Sequence, residues 1–330
     1  MALAVAAGGA LELTELARAP AQPLAVCAGW LMLAVGLELL SITGFVAVFK
    51  LVFGNGMSWR QCTVAALRGL GAGSVLPAGG LFGPAAAASS IGSGRRAPAA
   101  LARSGIALVI LTNVPQVLVL TAVGVILALG WTAGPHDIVR TVVPATVALA
   151  LIPATIMMAR ARDGRAPRRS VACHRPLRRL CDALAVLRGG ATQAISLLCA
   201  RDKKLLGAIA YYAFDNATLL AAFWASGHSP AVSIVAMGYV VGSLGAALPL
   251  PGGFGAIEAG LVGALVVYGA PAAAAAIAVL LYRAVSLLLP MVLGAAAWGT
   301  VTPASHTAAA AAIRQPEQGT TTCIHTSSPS

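Results

Sequence analysis

The chain has 330 residues, of which 58% are hydrophobic and only 10% charged, and its mean hydropathy is +0.86. The charged side chains are too few to form the surface of a soluble globular protein. The sequence therefore predicts an integral membrane protein. The formal net charge of +12 does not indicate nucleic-acid binding, because twelve of the 22 Lys and Arg residues fall between Arg160 and Lys204, as in a cytoplasmic loop.

The N-terminal segment, residues 1–22, has an apolar part that is too short to cross a bilayer. No basic region precedes it, and Glu12 and Glu15 interrupt or follow it, so a cleavable signal peptide is not expected. Two interpretations stay open for residues 1–22: an interfacial helix, or the end of a helix that begins before this reading frame.

Long apolar stretches, some of them broken, predict an all-α fold: a polytopic transmembrane helix bundle over residues 23–300. Two of the stretches, 61–92 and 230–268, are interrupted by Pro and Gly and are expected to be broken or re-entrant. Residues 301–330 are rich in Thr, Ser and Ala and are expected to be a disordered tail. The uninterrupted spans are residues 23–53, 106–130, 139–159, 205–224 and 272–298.

The two interruptions have similar composition. The later one has two prolines and three glycines within residues 249–255, and the earlier one spans residues 76–84. A helix broken at membrane depth frees backbone groups, which is tolerated only where protein or a wet cavity surrounds them. Both breaks are therefore expected to line one polar cavity near the midplane, through Pro77, Gly79, Gly80, Gly252 and Gly253.

The basic segment 159–204 sets the predicted topology, because the positive-inside rule places it in the cytoplasm. The two groups of span, broken element and span then cross the bilayer in opposite senses. That predicts an inverted repeat of the kind found in secondary transporters. Within the segment, leucines at helical spacing predict either an interfacial amphipathic helix or a solvated cytoplasmic one: Leu177, Leu180, Leu184 and Leu187.

Charged side chains inside the spans are the candidate functional residues. A charge at bilayer depth costs about 2.5–3.5 kcal/mol on insertion scales, so Glu258 is expected to find Arg283 as its partner. The pair is interpreted either as a gate in a lipid pathway or as a structural ion pair. Asp215 and Asn216 either line the same cavity or bond to neighbouring backbone, and Glu38 is a weaker candidate of the same kind.

No pattern of catalytic, metal-binding or nucleotide-binding residues is found in the sequence. The six cysteines form no CxxC pair, the histidines are scattered, and no GK[ST] follows the glycine-rich breaks. The sequence therefore predicts no cofactor, no metal and no catalytic residue, and it favours a protein that is not an enzyme.

The later break also carries a resemblance to a known family. Pro251-Gly252-Gly253-Phe254-Gly255 with Glu258, then Gly269 and Leu281-Tyr282-Arg283, resembles the transmembrane, flippase-like domain of lysyl-phosphatidylglycerol synthases and their stand-alone relatives. The resemblance covers about residues 20–300. It implies lipid handling and does not imply synthase activity, since residues 299–330 are expected to be too few for the soluble aminoacyl-transferring domain.

Two classes of function remain. The first is a multi-pass protein of the cell membrane that binds or translocates a phospholipid or polyprenyl-linked lipid. The second is either an accessory subunit for a separately encoded synthase or a membrane transferase, in lipid-headgroup or lipid-linked sugar modification. Membrane lipids are the expected partners in both, and the oligomeric state stays open. The headgroup cavity would contain Glu258, Arg283, Asp215 and Asn216 with Gly252, Gly253, Pro77, Gly79 and Gly80.

Overall fold

A computed structural model of the chain describes residues 28–54, 56–75, 98–160, 175–243 and 255–299. The described residues form nine α-helices and one short 3₁₀ turn, without a β-strand, so the predicted all-α bundle is confirmed. The helices are α1 (Ala28–Phe53), α2 (Trp59–Val75), α3 (Pro98–Ala128), α4 (Ile138–Arg160), α5 (Arg175–Ala200), α6 (Leu206–Ala225, after the 3₁₀ turn Lys203–Leu205), α7 (Val232–Ser243), α8 (Ala256–Val267) and α9 (Ala272–Gly299).

Six helices of the described part are long and apolar enough to cross a membrane, so the chain is a multi-pass membrane protein. Helices α7 and α8 are apolar but have only 12 residues each. Twelve residues rise about 18 Å, which is less than the roughly 30 Å of hydrocarbon, as expected for two halves of a broken element. The six candidate spans are Ala28–Phe53, Ala99–Ala128, Ile138–Arg160, Cys181–Ala200, Lys203–Ala225 and Ala272–Gly299.

One of these candidates, Cys181–Ala200, lies where the sequence predicts a helix of the basic cytoplasmic segment. Helix α5 continues well past the four leucines on which that prediction rests, and residues 189–200 carry no charge. This half packs on the first turns of α3, where Ser104 Oγ donates a hydrogen bond to Gln193 Oε1 at 3.3 Å. The leucine spacing therefore predicts only the first half of α5. The apolar second half, which that spacing does not include, gives the helix the length and composition of a span.

Helices α1 and α6 are the two most buried of the candidate spans, and they cross each other in antiparallel directions. The Trp30 and Trp224 rings lie 4.8 Å apart near one end. Near the other, a Cβ built on Gly44 would lie 2.6 Å from the Gly207 oxygen, and one built on Gly207 would lie 2.6 Å from the Gly44 oxygen. Small residues permit such close backbone approach between membrane helices, and here the approach brings two polar helix segments together.

The helix contacts of the first half recur in the second. Helix α1 packs on α2 as α6 packs on α7, and α1 packs on α3 as α6 packs on α9. Likewise α2 contacts α9 as α7 contacts α3, and α3 contacts α6 as α9 contacts α1. An exchange of α1 with α6, α2 with α7 and α3 with α9 relates these four pairs of contacts. The inverted repeat itself stays a prediction. The two breaks themselves, with the N-terminal segment 1–22 and the tail 301–330, lie outside the described residues.

A buried arginine holds α2 against the end of α9. Arg68 is 7% exposed, and its Nε and Nη2 donate to the Ala297 carbonyl oxygen at 3.1 and 2.9 Å. Its guanidinium also lies 5.1 Å from the Trp298 ring centre. Because a carbonyl in the last turn of a helix has no partner within the helix, Arg68 acts as a C-terminal cap for α9.

Candidate functional site

Helix α8 restarts the chain after the second break, and its first turn sets the position of Glu258. Gly255 precedes the helix with a φ of +82°, a conformation that glycine adopts readily. Its backbone N–H donates to Glu258 Oε2 at 2.7 Å, so the carboxylate caps its own helix. The cap also places the negative charge at the positive end of the helix dipole.

The predicted pairing of Glu258 with Arg283 is present. Arg283 Nε donates to Glu258 Oε1 at 2.7 Å, across the interface of α8 with α9. The Arg283 side chain is 12% exposed and that of Glu258 is 20% exposed. One carboxylate therefore caps the half helix with one oxygen and ties it to α9 with the other.

Asp215 lies at the meeting point of α6, α7 and α9. Its residue is 6% exposed, and both carboxylate oxygens accept hydrogen bonds from tyrosines. The Tyr282 hydroxyl donates to Oδ1 at 3.0 Å, and the Tyr239 hydroxyl donates to Oδ2. Since Tyr282 precedes Arg283, one turn of α9 serves both carboxylates, and the Arg283 charge also acts on Asp215. The sequence pattern misses both tyrosines, although Tyr282 is part of the motif that singles out Arg283.

Glu38 proves to be a member of the same cluster. It is 5% exposed on α1, and its carboxyl interacts electrostatically with that of Asp215 across the α1–α6 crossing. The Ser41 hydroxyl, one turn along α1, donates to the Tyr211 carbonyl oxygen at 3.0 Å and fixes this register. The sequence signal for Glu38 is its position in the middle of an apolar span. That signal is weaker than a motif, because a small change in the register of the span would move the residue toward the interface.

Asn216 does not join the charged group in this structure. Its side-chain amide donates to the Tyr212 carbonyl oxygen of the preceding turn at 3.4 Å, which is the backbone alternative considered from the sequence. The other residues expected in the cavity, Pro77, Gly79, Gly80, Gly252 and Gly253, lie outside the described residues. Their meeting at the midplane stays a prediction.

A cleft of about 310 Å³ lies elsewhere, at the N-terminal end of α4. The Tyr268 hydroxyl donates to the Arg140 carbonyl oxygen at 2.8 Å and closes one side of it. The sequence gives no signal for this cleft, because two loops and three helix ends form it. Its lining consists of Gly134, Pro135, Arg140, Ile234, Val267, Tyr268 and Gly269. Within the described ranges, no three His, Cys, Asp or Glu side chains gather as metal ligands would.

The sequence model of one protein family, described as the lysylphosphatidylglycerol synthase TM region, matches residues 2–294. The chain belongs to this family. The match covers α1 to α8, most of α9 and both breaks, so every residue of the candidate site lies within the lysylphosphatidylglycerol synthase TM region. No curated protein matches the chain.

Proposed function

We propose that this protein binds the headgroup of a phospholipid or polyprenyl-linked lipid and moves it across the cell membrane. The observation that carries the proposal is the Glu258–Arg283 pair, 2.7 Å apart within a bundle of apolar helices. Ionisable side chains inside membrane bundles usually mark a substrate or ion pathway. Membership of the lysylphosphatidylglycerol synthase TM region family supports a function that concerns lipids.

The chemistry of the pair suits a charged headgroup. A guanidinium can donate two parallel hydrogen bonds to a phosphate, whereas a carboxylate can accept from an ammonium or hydroxyl group. Arg283 would exchange Glu258 for the lipid phosphate, and Glu258 would keep its bond to the Gly255 N–H. In this proposal the two breaks form the walls of the path, with Gly252 and Gly253 on one side and Pro77, Gly79 and Gly80 on the other.

The proposed orientation places the whole basic segment 159–204 in the cytoplasm, so in this proposal Cys181–Ala200, a candidate span by length and composition, does not cross the bilayer. In a cysteine-free background, Ser229→Cys in the exposed loop before α7 is expected to react with an impermeant thiol reagent in intact cells. Lys203→Cys, at the start of the 3₁₀ turn, is expected to react only after permeabilisation. The reverse pattern of labelling would contradict the orientation and the topology on which the path is drawn.

Reconstitution tests lipid movement directly. Proteoliposomes would carry a fluorescent or native lipid of one class at a time: an anionic phospholipid, an aminoacylated phospholipid or a polyprenyl phosphate. We expect at least one class to cross faster than in protein-free vesicles, and the gain to be lost in Glu258→Gln. Asp137→Asn, which removes a half-exposed carboxylate outside the bundle, is the matched control and should transport as the wild type does. Protein-free rates for all three classes would refute the proposal.

A further inference from the structure

The Glu38–Asp215 pair stands apart from the ion pair because both members are acids. Glu38 is 5% exposed on α1 and Asp215 is 6% exposed on α6. The Ser41 hydroxyl donates to the Tyr211 carbonyl oxygen at 3.0 Å, so one turn farther along these antiparallel helices Glu38 lies level with Asp215, and the two carboxyls interact electrostatically. Thr218 is fully buried one turn after Asp215, and its hydroxyl donates to the Phe214 carbonyl oxygen at 2.9 Å, which leaves the lone pairs of the hydroxyl oxygen available to a cation. Two neighbouring carboxylates in an apolar interior repel each other strongly, so one of them needs a compensating positive charge.

The partners of the two acids are unequal. Both oxygens of Asp215 accept hydrogen bonds from tyrosines, whereas Glu38 Oε2 is buried without a hydrogen-bond partner among the described residues. The Tyr212 hydroxyl, in a residue 7% exposed and two turns before Thr218, is also buried without a partner in that part of the chain. Buried polar atoms are rarely left unpaired, so the unpaired oxygen of Glu38, on a side chain that interacts with Asp215, indicates a missing ligand.

The nearby guanidinium does not balance the cluster. Arg283 acts on Asp215, and its Nε donates to Glu258, so among the described residues this one positive charge is shared by two carboxyls even before Glu38 is counted. In the described part of the chain, no salt bridge involves Glu38. The tyrosines donate hydrogen bonds but bring no charge.

We propose that Glu38 and Asp215 form a binding site for one monovalent cation, either a proton or a sodium ion. A proton would sit on Glu38 and be donated toward Asp215. A sodium ion would take Glu38 Oε2, an Asp215 oxygen and the Thr218 hydroxyl oxygen as hard oxygen ligands. The proposal goes beyond lipid movement, because a protein could hold this cation and move no lipid. If lipid does move, exchange of the cation would be the point at which an ion gradient acts on it.

The charged and titratable groups that face the pair come from three helices. Helix α6 contributes Tyr211 and Tyr212, α7 contributes Tyr239, and α9 contributes Tyr282 and Arg283. Because tyrosine stays neutral at physiological pH and arginine stays charged, a response to pH between about 5 and 9 would belong to the carboxyls.

Infrared difference spectroscopy and thermal unfolding on the purified, full-length protein test the site without any lipid flux. If the cation is a proton, the wild type shows the C=O stretch of a protonated carboxylic acid in an apolar setting, and Glu38→Gln loses it. If the cation is sodium, the unfolding midpoint of the wild type rises with sodium chloride at constant ionic strength against choline chloride, and Glu38→Gln loses that rise.

Two further variants keep the test decisive. Glu38→Asp retains a carboxylate and should retain the response in part, which guards against a Glu38→Gln protein that is merely misfolded. Asp137→Asn removes an exposed carboxylate outside the bundle and should change nothing. Absence of both signals from the wild type, or persistence of either in Glu38→Gln, would overturn the cation site. Neither result bears on lipid movement, which Glu258→Gln tests separately.

Discussion

Two pairs of ionisable side chains in the bundle, Glu258–Arg283 and Glu38–Asp215, differ in how their charge is balanced. Glu258 lies 2.7 Å from Arg283 at the start of a half helix, and both side chains are between 12% and 20% exposed. Glu38 and Asp215 lie deeper, at 5% and 6% exposed, and the neighbour of each is another acid. The first pair is neutral by itself, whereas the second is not.

This difference suggests a division of roles. A pair that is neutral and partly exposed can separate when a charged group arrives, because that group replaces one partner. A pair of acids at the crossing of α1 and α6 can change its charge only by taking up or releasing a cation. We call Glu258–Arg283 the outer pair and Glu38–Asp215 the inner pair. If both proposals hold, the outer pair binds the lipid headgroup and the inner pair binds the ion.

The largest expected effect concerns the outer pair. Removing one partner of a desolvated ion pair typically costs about 3–5 kcal/mol, while replacing both with apolar residues can be neutral. Glu258→Gln or Arg283→Leu alone should therefore lower the folded yield. The double variant Glu258→Leu/Arg283→Leu should recover yield and lose lipid flux, measured on the same preparations. The recovery of yield should be incomplete, because the double variant also loses the stability that the hydrogen bond from the Gly255 N–H to Glu258 contributes.

Two results would break the comparison at this point. A double variant that transports at the wild-type rate would reduce the outer pair to a scaffold. Single variants that fold as well as the wild type would mean that the ion pair between Glu258 and Arg283 does not stabilise the folded protein.

The outer pair could be predicted from sequence and the inner pair could not, for a physical reason. After the break the chain begins a new helix, and Glu258 lies in its first turn, where a carboxylate can cap it. Arg283 lies midway along the next span, and a charge inside the membrane needs a partner, so the pair can be inferred from sequence positions alone. Glu38 and Asp215 meet only through the register of α1 on α6, which the contact of Gly44 with Gly207 sets. No periodicity within either helix reveals that contact. The same reason hides Tyr239, which reaches Asp215 from a third helix.

The tyrosines give the next largest effect and sharpen the description of the inner pair. Tyr282→Phe removes one of the two hydroxyl donors to Asp215, and a hydrogen bond to a charged group contributes about 1.5–3 kcal/mol. The unfolding midpoint should fall, and the carboxylic acid band or the sodium response assigned to Glu38 should shift. Tyr268→Phe, which loses a hydroxyl bond to the Arg140 carbonyl in the separate cleft, is the matched control. An equal shift in both variants would contradict a specific role for Tyr282.

A smaller loss of stability is expected from a substitution at Gly44, where α1 crosses α6. Gly44→Ala would place a methyl group 2.6 Å from the Gly207 oxygen, and overpacking of this kind costs about 1–3 kcal/mol. The helices must move apart, so the cation response of Glu38 should weaken while Glu258 and Arg283 stay paired. Gly36→Ala, on the same helix with no atom within 4 Å of the new Cβ, should leave both unchanged or slightly raise stability. A Gly44→Ala protein with a full cation response would show that the crossing does not set the inner pair.

The smallest effect belongs to a carboxylate outside the apolar bundle, Asp202, which shows how an ordinary acid of this protein behaves. The Lys204 side chain and backbone N–H both donate to it, at 2.7 and 2.9 Å, and hold the pKa of Asp202 below its ordinary value of 3.8. The pKa of Asp202 is lower in the folded state than in the unfolded chain. Its hydrogen bonds therefore stabilise the fold fully at pH values above the unfolded-state pKa, and this stabilisation is lost as the pH falls through the folded-state pKa. Asp202→Asn should therefore lower the unfolding midpoint slightly near neutral pH, and the difference from the wild type should vanish in acid. Unfolding scans across that range would check the sign. A Glu38→Gln scan that differs from the wild type only in the same acidic window would mean that the inner pair titrates like an exposed acid, and the contrast between the bundle and its surface would be lost.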